Sequence, residues 1–267
     1  MNTSTTIPPL QENQKKVSPG NGASKKRSGS RMEPDFWIQP GAASLLDVGC
    51  NTGALLYDMR RFFPDMELAG IDINHVALQT AKALLPGVEI HEGVGFDLPF
   101  ASGRFEYVTC IEVIEHVPAQ FRKQLIAEMQ RVLRPGGRMI LRCPHAGIFD
   151  WLDAQNFRFR FPGLYGKLVG HGGRDENYRE AKEELVWHHH FTREELHGLA
   201  GEGWDEETCQ YGGLILFPIS DILRWPFYRM ARNDNWFVRA MEKMATAELA
   251  VGFGAKSYDI LLVLKKR

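Results

Sequence analysis

The sequence has 267 residues, of which 44% are hydrophobic and 24% are charged, as in a globular protein of one large domain or two small ones. Its net charge of −1 gives no indication of a nucleic-acid partner. No apolar run reaches the roughly 18 residues of a membrane-spanning helix, and the first residues lack the apolar core of a secretory signal. The four cysteines form no CxxC pair, which argues against a zinc ribbon. Because free thiols fit a reducing compartment, we expect a cytoplasmic protein.

Residues 1–33 are predicted to form a disordered basic tail, because they are rich in small polar residues and poor in aromatic ones. Residues 1–31 carry a net charge of +5, since six basic side chains accompany a single acid, Glu12. Two interpretations stay open: a solvated tail without a partner, and a basic arm for anionic lipid or nucleic acid. The basic residues are Lys15, Lys16, Lys25, Lys26, Arg27 and Arg31.

From residue 44 to residue 144, short continuous apolar strands alternate with segments of helical periodicity. Leu55, Leu56 and Met59 recur on one helical face, and Asn74 is placed to cap the helix that follows it. Continuous apolar strands separated by helices indicate a parallel sheet that is covered on both faces. The predicted strands are 44–48, 67–72, 88–93, 105–113 and 138–144; the predicted helices are 53–63, 75–85 and 120–133, with a turn at 134–137.

The second half of the chain is less regular. Residues 146–187 form an aromatic, glycine-rich insertion after the fifth strand. Thr192 and Glu195 have the spacing of a capping box, which predicts a helix over 191–204. A second insertion, residues 212–254, separates the last two strands and contains two helical segments. These segments are 214–231 and 236–249, and the strands on either side are 205–211 and 257–266.

A glycine-bearing loop, residues 47–53, joins the first strand to the first helix. Open α/β sheets bind ligands beyond the carboxyl ends of such strands, and glycine lets the backbone approach a ligand closely. Asp72 ends the second strand, 19 residues after Gly53, where a carboxylate can bind both hydroxyls of an adenosine ribose. Together, the loop and Asp72 predict a cofactor that contains adenosine.

The loop does not have the pattern of a dinucleotide site. Its spacing is G-x-x-x-G instead of G-x-G-x-x-G, and Asn51 stands where a middle glycine would approach a pyrophosphate. An acid, Asp47, precedes the loop, whereas dinucleotide sites favour an anionic ligand. This pattern favours a cofactor with an ammonium and a sulfonium group over NAD. An NAD-type oxidoreductase is therefore a disfavoured alternative.

Four segments in family order resemble the motifs of class I S-adenosylmethionine-dependent methyltransferases: LLDVGCNTGAL, GIDIN, LPFASGRFEYVTCIEVIEHVP and LRPGGRMILRCPH, across residues 45–145. HHHFTREELHGLAGEGW is similar to the ubiquinone-pathway-like, or methyltransferase type 11-like, branch. The resemblance implies a Rossmann-like α/β fold, with a seven-stranded, mostly parallel sheet, helices on both faces and an antiparallel last strand. It implies one methyltransferase domain over residues 34–267 and S-adenosylmethionine as the cofactor.

The resemblance also assigns residues to the cofactor. Five residues of the loop are expected to bind the cofactor, and all of them except Asn51 line its methionine part. Asp72 is expected to bind the ribose, and Ile73 to pack beside the adenine. The loop carries one departure from the family pattern, since asparagine replaces the usual glycine at position 51. The five loop residues are Asp47, Gly49, Cys50, Asn51 and Gly53.

Two further parts of the chain are expected to reach the cofactor through the resemblance. The family often has an acid for adenine N6 after the third strand, and this chain has none at that position. Asp97, or the backbone near Gly95 and Phe96, is expected to take its place. Ile111 or Glu112, at the end of the fourth strand, is expected beside the sulfonium.

Methyl transfer from a sulfonium depends mainly on positioning and desolvation, so a base is needed only for a protonated acceptor. Histidine is the natural candidate, because it titrates near neutrality. Five histidines are candidates to act as a base or to position the acceptor: His116, His145, His188, His189 and His190. Of these, His116, His145 and His189 are predicted to have this role, with a structural role as the alternative for each. The run 188–190 does not predict a metal site, because consecutive side chains cannot all point one way and no partner acid is evident.

The two insertions bear on the acceptor. Residues 146–187 lie where a lid or acceptor wall is expected, with a hydrophobic cluster on the core as the alternative. The helices of residues 212–254 are predicted to cover an apolar pocket, pack in the core, form a dimer surface or touch a membrane interface. A homo-oligomer and a peripheral membrane contact both stay open.

We therefore predict an enzyme that uses S-adenosylmethionine to methylate an oxygen or nitrogen of a small-molecule or lipid-linked acceptor. A non-catalytic cofactor-binding protein of the same fold is a second alternative, because fold does not guarantee activity. A protein or nucleic-acid acceptor is disfavoured, since residues 111–114 read IEVI where an NPPY-like tetrapeptide would follow the fourth strand.

Overall fold

The computed structural model describes residues 30–153, 156, 160, 161, 163, 188–229 and 235–267. Within these residues, seven strands form one sheet that is flanked by six α-helices. The strands are β1 (Ser44–Val48), β2 (Glu67–Asp72), β3 (Glu89–Glu92), β4 (Phe105–Ile111), β5 (Leu133–Pro144), β6 (Trp204–Gly212) and β7 (Asp259–Lys266). The helices are α1 (Ala54–Phe62), α2 (His75–Leu84), α3 (Ala119–Val132), α4 (Arg193–Ala200), α5 (Leu216–Arg229) and α6 (Trp236–Leu249).

The strand order in the sheet is β3-β2-β1-β4-β5-β7-β6. β1 to β5 run parallel, whereas β7 is antiparallel to both of its neighbours, β5 and β6. From β1 the successive strands β2 and β3 are added on one side, and β4 and β5 are added on the other side. Open α/β sheets bind ligands at such a switch point, beyond the carboxyl ends of the strands. The predicted seven-stranded Rossmann-like fold is confirmed.

Alternate residues of the strands face two hydrophobic clusters, one on each side of the sheet. Leu46 and Val48 of β1 belong to one cluster, which α3 and α4 cover. Leu45 belongs to the other, which α1, α2 and α6 cover. Because both faces are buried, the strands carry continuous apolar runs. Each leucine that is fully buried in this way contributes about 1.5–3 kcal/mol to the free energy of folding.

Polar side chains begin two of the helices, as predicted. Asn74 Oδ1 accepts a hydrogen bond from the Ala77 N–H at 3.1 Å, directly before α2. Thr192 Oγ1 accepts from the Glu195 N–H at 3.1 Å, and the Glu195 carboxylate accepts from the Thr192 N–H at 2.8 Å. These bonds satisfy N–H groups that a helix leaves without an internal partner, so they fix where α2 and α4 begin.

The predicted turn at residues 134–137 lies within β5 in the structure. Phe105 of β4 pairs with Leu133, and Tyr107 pairs with Arg138, so more residues of β5 than of β4 lie between the two pairs. The chain therefore bulges at this place, as its proline and glycines favour, and strand pairing continues on both sides. The prediction of a helix, a turn and a strand was wrong in beginning the strand after the turn, at residue 138, because β5 already begins at Leu133.

The N-terminal boundary of the domain also differs from the prediction. Met32 is buried in the cluster that contains Leu45 and Leu249, and its carbonyl accepts a hydrogen bond from Arg142 Nη1 at 3.0 Å. The predicted tail of residues 1–33 is therefore wrong for residues 30–33, because a composition averaged over the whole segment hides this one apolar anchor. Residues 1–29 lie outside the described residues.

The two predicted insertions are described to different extents. In the second, α5 and α6 pack on each other, and Val238, Ala245 and Leu249 of α6 are buried. Core packing, one of the interpretations left open, therefore applies to α6. Of the first insertion, residues 146–153, 156, 160, 161 and 163 are described, and most of the predicted lid lies outside them. Among the described helices, none is long and apolar enough to cross a membrane.

Candidate functional site

The loop between β1 and α1 is bound to the end of β2 through its own backbone. The N–H groups of Gly49 and Cys50 donate to the Ile71 carbonyl at 2.8 and 3.1 Å. Asn51 has φ of +47°, a left-handed conformation that asparagine tolerates better than most residues. Asn51 thus takes a backbone shape that also suits the glycine it replaces. Because the Gly49 and Cys50 N–H groups have partners inside the protein, they are not available to a pyrophosphate.

Asp72 lies at the carboxyl end of β2, and the backbone holds both of its carboxylate oxygens. Oδ2 accepts from the Asn51 N–H and Oδ1 from the Asn74 N–H, each at 2.8 Å. Each oxygen has a second lone-pair direction, so these bonds fix the carboxylate without exhausting it. Ile73 leaves 61% of its surface exposed and so provides apolar surface beside the acid. A fixed acid next to exposed apolar surface fits a ribose that carries an adenine.

Asp47 is buried beneath the loop and is close to the acid at the end of β2. Thr109 Oγ1 donates a hydrogen bond to Asp47 Oδ1 at 2.7 Å. Burial raises the pKa of Asp47 to about 7, although the hydrogen bond from Thr109 acts in the opposite direction, and the charge of Asp72 adds to the rise. A cationic group bound nearby would favour the ionised form of this carboxyl. Burial also raises the pKa of the Cys50 thiol, which keeps this thiol unreactive.

Asp47→Asn is expected to stabilise the protein at pH 8 by roughly 2–3 kcal/mol more than at pH 5. The unfolded chain ionises this carboxyl near pH 4, whereas burial keeps it protonated up to about pH 7. The contribution of Asp47 to the free energy of unfolding is therefore fully present in the wild-type protein below pH 4 and is lost as the pH rises through 7. Asparagine has no charge to bury, so its contribution does not change with pH. Thermal unfolding at pH 5 and pH 8 measures the difference.

Asp205→Asn is the control for this experiment, because Asp205 is exposed and pairs with Arg267 on the surface at 2.8 Å. Its effect on the unfolding temperature should be small at both pH values. An Asp47→Asn effect that is equal at pH 5 and pH 8 would contradict the burial argument.

The residues expected near the adenine lie after β3. A Cβ added to Gly95 would lie 2.7 Å from Val48 Cγ1, so the backbone here is pressed against the end of β1. The Phe96 ring stacks on Phe121 with the centroids 4.5 Å apart, which holds it against α3. Asp97 follows in a turn, with its N–H 3.2 Å from the Val94 carbonyl. Among Gly95, Phe96 and Asp97, it is therefore the Gly95 backbone that lies next to the end of β1.

The end of β4 carries a backbone strain. Glu112 has φ of +56°, an uncommon conformation for a residue with a Cβ. Its Oε1 accepts a hydrogen bond from Arg142 Nε at 3.1 Å, and the same nitrogen lies 3.5 Å from the buried Asp259 Oδ2. The Glu112 carboxylate is therefore paired with a cation of β5. Ile111, the other residue expected beside the sulfonium, packs against the cluster that α1 and α2 cover.

A short 3-10 helix, Ile114–His116, follows β4 and carries a buried acid and an exposed histidine. Glu115 is fully buried, and neither of its oxygens has a hydrogen-bond partner among the described residues. Its Oε1 lies 3.8 Å from His116 Nε2 and 3.7 Å from His188 Nε2. Burial raises the pKa of Glu115 to about 7. We refer to Glu115, His116 and His188 as the His–Glu cluster.

Asp153 and Asn156 hold His188 on the side away from Glu115. Asp153 Oδ2 contacts His188 Nδ1, and His190 Nε2 lies 2.9 Å from the same oxygen. Asn156 binds the His188 main chain twice, accepting from its N–H at 2.8 Å and donating to its carbonyl at 2.7 Å. Although burial opposes it, pairing with Asp153 and Glu115 raises the pKa of His188 to about 9. His188 is therefore fixed with Nε2 facing Glu115.

Two of the three predicted histidines have partners elsewhere. His145 is buried, and its Nδ1 lies 3.0 Å from the Ser257 carbonyl. His189 lies with its Nε2 3.3 Å from Glu195 Oε1, because side chains alternate along an extended segment and its neighbours face Asp153. We therefore replace His189 by His188 as the acceptor-side candidate. His116 alone of the three lies in the His–Glu cluster.

Sequence reasoning missed three residues of this region. Glu115 carries a signal, since it directly precedes His116 after an apolar strand. Asp153 and Asn156 lie in an insertion with no regular pattern, so no signal in the sequence links them to His188.

Residues 46–141 match the sequence profile of a family described as "Methyltransferase domain". The "Ubiquinone/menaquinone biosynthesis C-methyltransferase UbiE" of Desulfotalea psychrophila is 35% identical over 135 residues, which are 49% of this chain and 54% of that protein. The "Demethylmenaquinone methyltransferase" of Deinococcus radiodurans is 30% identical over 136 residues, 48% of this chain and 56% of that protein. The chain spans about half the length of these curated relatives.

A solved structure of a candidate sarcosine dimethylglycine methyltransferase from Galdieria sulphuraria has a similar fold, with a TM-score of 0.56 over 84% of this chain and 78% of that one. At 14% sequence identity this likeness concerns the fold alone. The sheet order is that of a Rossmann-like α/β fold, and the part of it that spans residues 46–141 matches the methyltransferase-domain profile.

Proposed function

We propose that this protein transfers the methyl group of S-adenosylmethionine to a small-molecule or lipid-linked acceptor that binds against the His–Glu cluster. The observation that carries the proposal is the loop after β1, whose N–H groups are bound to the end of β2 and which lies between the acids Asp47 and Asp72. When bound, S-adenosylmethionine supplies an electrophilic methyl group on a positively charged sulfonium. Such a loop suits a cationic ligand and disfavours a phosphate.

On the cofactor side, each expected residue has a distinct task. Asp72 accepts hydrogen bonds from the ribose hydroxyls through the lone pairs that the backbone leaves open. Ile73 packs beside the adenine, and the backbone at Gly95 borders it. Asp47 favours the ammonium group of the methionine part, because a cation stabilises its ionised form.

The acceptor side directly adjoins the cofactor loop. A Cβ added to Gly49 would lie 2.2 Å from Val113 Cγ2, so the segment that leads to Glu115 touches the loop. Methyl transfer needs the acceptor atom in line with the methyl group, and holding both in place accounts for much of the acceleration. The His–Glu cluster begins two residues after Val113, which supports a role for it in positioning the acceptor's reacting group.

An apolar ring with a hydroxyl group is the acceptor that fits these features. The curated relatives are named for ubiquinone and menaquinone biosynthesis. Trp151 and Phe161, in the same insertion as Asp153, expose 56% and 54% of their surfaces, which suits an apolar ligand. Since one relative is named a C-methyltransferase, methylation of carbon joins that of oxygen or nitrogen as an outcome to be tested.

Calorimetric titration of the full chain with S-adenosylmethionine, its demethylated product and NAD tests the cofactor. We expect micromolar binding of the first two and no binding of NAD. Incubation with S-adenosylmethionine that carries an isotope-labelled methyl group, together with a panel of phenols and hydroquinones, then tests the transfer. Mass spectrometry detects the gain of one labelled methyl group.

The same experiment separates the alternatives. Binding of NAD alone would favour an oxidoreductase and overturn the proposal. Binding of S-adenosylmethionine without any methylated product would favour a non-catalytic protein of the same fold.

A further inference from the structure

The His–Glu cluster brings three ligand atoms together from two distant parts of the chain. Glu115 Oε1, His116 Nε2 and His188 Nε2 all lie within 4.8 Å of one another. The carboxylate oxygen is 3.8 and 3.7 Å from the two nitrogens. Around a metal ion with bonds of about 2.0–2.2 Å, ligand atoms lie roughly 3–3.5 Å apart. The observed spacing is therefore close to that of a metal site.

The state of Glu115 is a second, independent observation. A carboxylate that is removed from water needs hydrogen bonds, a proton or a cation, because burying it alone costs several kcal/mol. Within the described part of the chain, no group donates a hydrogen bond to either oxygen of Glu115, and the two imidazole nitrogens lie beyond hydrogen-bond distance. A cation between the three ligand atoms would satisfy the buried carboxylate of Glu115.

The residues behind His188 give it the support that metal-binding histidines have. Its Nδ1 contacts Asp153, which directs the opposite nitrogen, Nε2, toward Glu115. Such carboxylate–histidine pairs fix the ring and its tautomer in metal sites. Asp153 also pairs with His190, and Asn156 fixes the main chain of His188. Asp153 and His190 are thereby already paired with each other, so we assign them to supporting His188.

We propose that Glu115, His116 and His188 bind a divalent transition-metal ion such as Zn²⁺. Two imidazoles and one carboxylate suit transition metals, whereas Mg²⁺ and Ca²⁺ prefer oxygen ligands alone. The histidine run in the sequence does not predict this site, because the fold supplies the acid and the second imidazole from a different element. The His116 side chain is 49% exposed, so the site is open on one side to a further ligand.

The role of this ion rests on the proposed function. At an open coordination position, an acceptor hydroxyl releases its proton to solvent more readily, because the ion stabilises the resulting anion. The oxygen then forms the bond to the methyl carbon. Alternatively, a ring carbon conjugated with the oxygen forms this bond, after which the proton on that carbon is lost to solvent and the oxygen takes up a proton. The carbon–sulfur bond of the cofactor breaks, and its electron pair stays on sulfur.

Metal titration of chelator-treated, tag-free full-length protein tests the proposal. We expect calorimetry to show one Zn²⁺ per chain, and Co²⁺ as a spectroscopic probe to give visible absorption bands. Glu115→Gln, which keeps the size of the side chain, and His188→Ala are each expected to weaken Zn²⁺ binding by about 100-fold or more and to remove the Co²⁺ bands. His189→Ala is the matched control and should leave both unchanged, because His189 contacts Glu195 instead.

Wild-type affinity for Zn²⁺ in both variants would overturn the metal site, and so would an absence of binding to the wild-type protein when circular dichroism shows that it is folded. Titration of the same samples with S-adenosylmethionine keeps the two proposals apart. Cofactor binding without metal binding refutes the metal site alone. Metal binding without cofactor binding supports the site and refutes the proposed function.

Discussion

Replacing Asp72 with alanine is expected to raise the Kd for S-adenosylmethionine and its demethylated product by roughly 100-fold or more. A hydrogen bond to a charged group contributes about 1.5–3 kcal/mol, and the ribose is expected to donate two of them to this carboxylate. The substitution also releases the N–H groups of Asn51 and Asn74, which Asp72 holds at 2.8 Å, so the loop loses its fixed shape. Calorimetric titration with both ligands measures the change.

Glu92→Ala is the matched control, because Glu92 ends the neighbouring strand β3 and pairs with His75 on the surface at 2.7 Å. It should leave the Kd within about twofold of the wild-type value. Asp72→Asn, which keeps one acceptor oxygen and loses the charge, should give an intermediate Kd. Wild-type affinity in Asp72→Ala would show that the adenosine binds elsewhere.

Replacing Gly49 with alanine is expected to lower the free energy of unfolding by about 2–5 kcal/mol and to remove cofactor binding. Gly49 has φ of +81°, where a Cβ costs roughly 1–2 kcal/mol. The added Cβ would also lie 2.2 Å from Val113 Cγ2, so either the loop or Val113 must move, at a cost of about 1–3 kcal/mol. Urea unfolding and cofactor titration measure the two effects.

Gly41→Ala separates the two causes. Gly41 also has φ of +81°, but no atom lies within 4 Å of the Cβ that alanine would add. It should therefore cost only the roughly 1–2 kcal/mol of the left-handed conformation. The double variant Gly49→Ala/Val113→Ala removes the overlapping methyl groups and should regain the part of the stability that is lost to the overlap. A Gly49→Ala loss no larger than that of Gly41→Ala would contradict the overlap argument.

Local patterns predicted the sheet well where both faces of a strand are covered. The bounds of β1 and β2 agree with the prediction, because the run of β1 stops before Gly49 and that of β2 stops at Asp72. β4 was predicted to extend to residue 113 but ends at Ile111, since Glu112 turns into a left-handed conformation that no residue preference indicates. The described residues before Pro34 are held by the buried Met32 and by contacts with Arg142, and the composition of the segment reveals neither.

The candidate site was predictable where its residues are neighbours in the chain or end adjacent strands. The loop after β1 and Asp72 belong to this group, and the structure links them by hydrogen bonds. The acceptor side depends on contacts between the 3-10 helix Ile114–His116, Asp153 of the first insertion, and His188 before α4. Burial of Glu115 and the pairing of Asp153 with two histidines follow from that packing. Charged residues are rarely buried, so a sequence offers no reason to expect them there.

The position of β7 has a consequence for how the nascent chain folds. β7 lies between β5 and β6, although it follows both of them in the chain, and its residues 260–264 are fully buried. On the ribosome, β5 therefore emerges with an unpaired apolar edge, and β6 emerges before the strand that joins it to the sheet. Exposed strand edges of this kind favour aggregation, so the interval before residues 259–266 emerge is when a chaperone has most to protect.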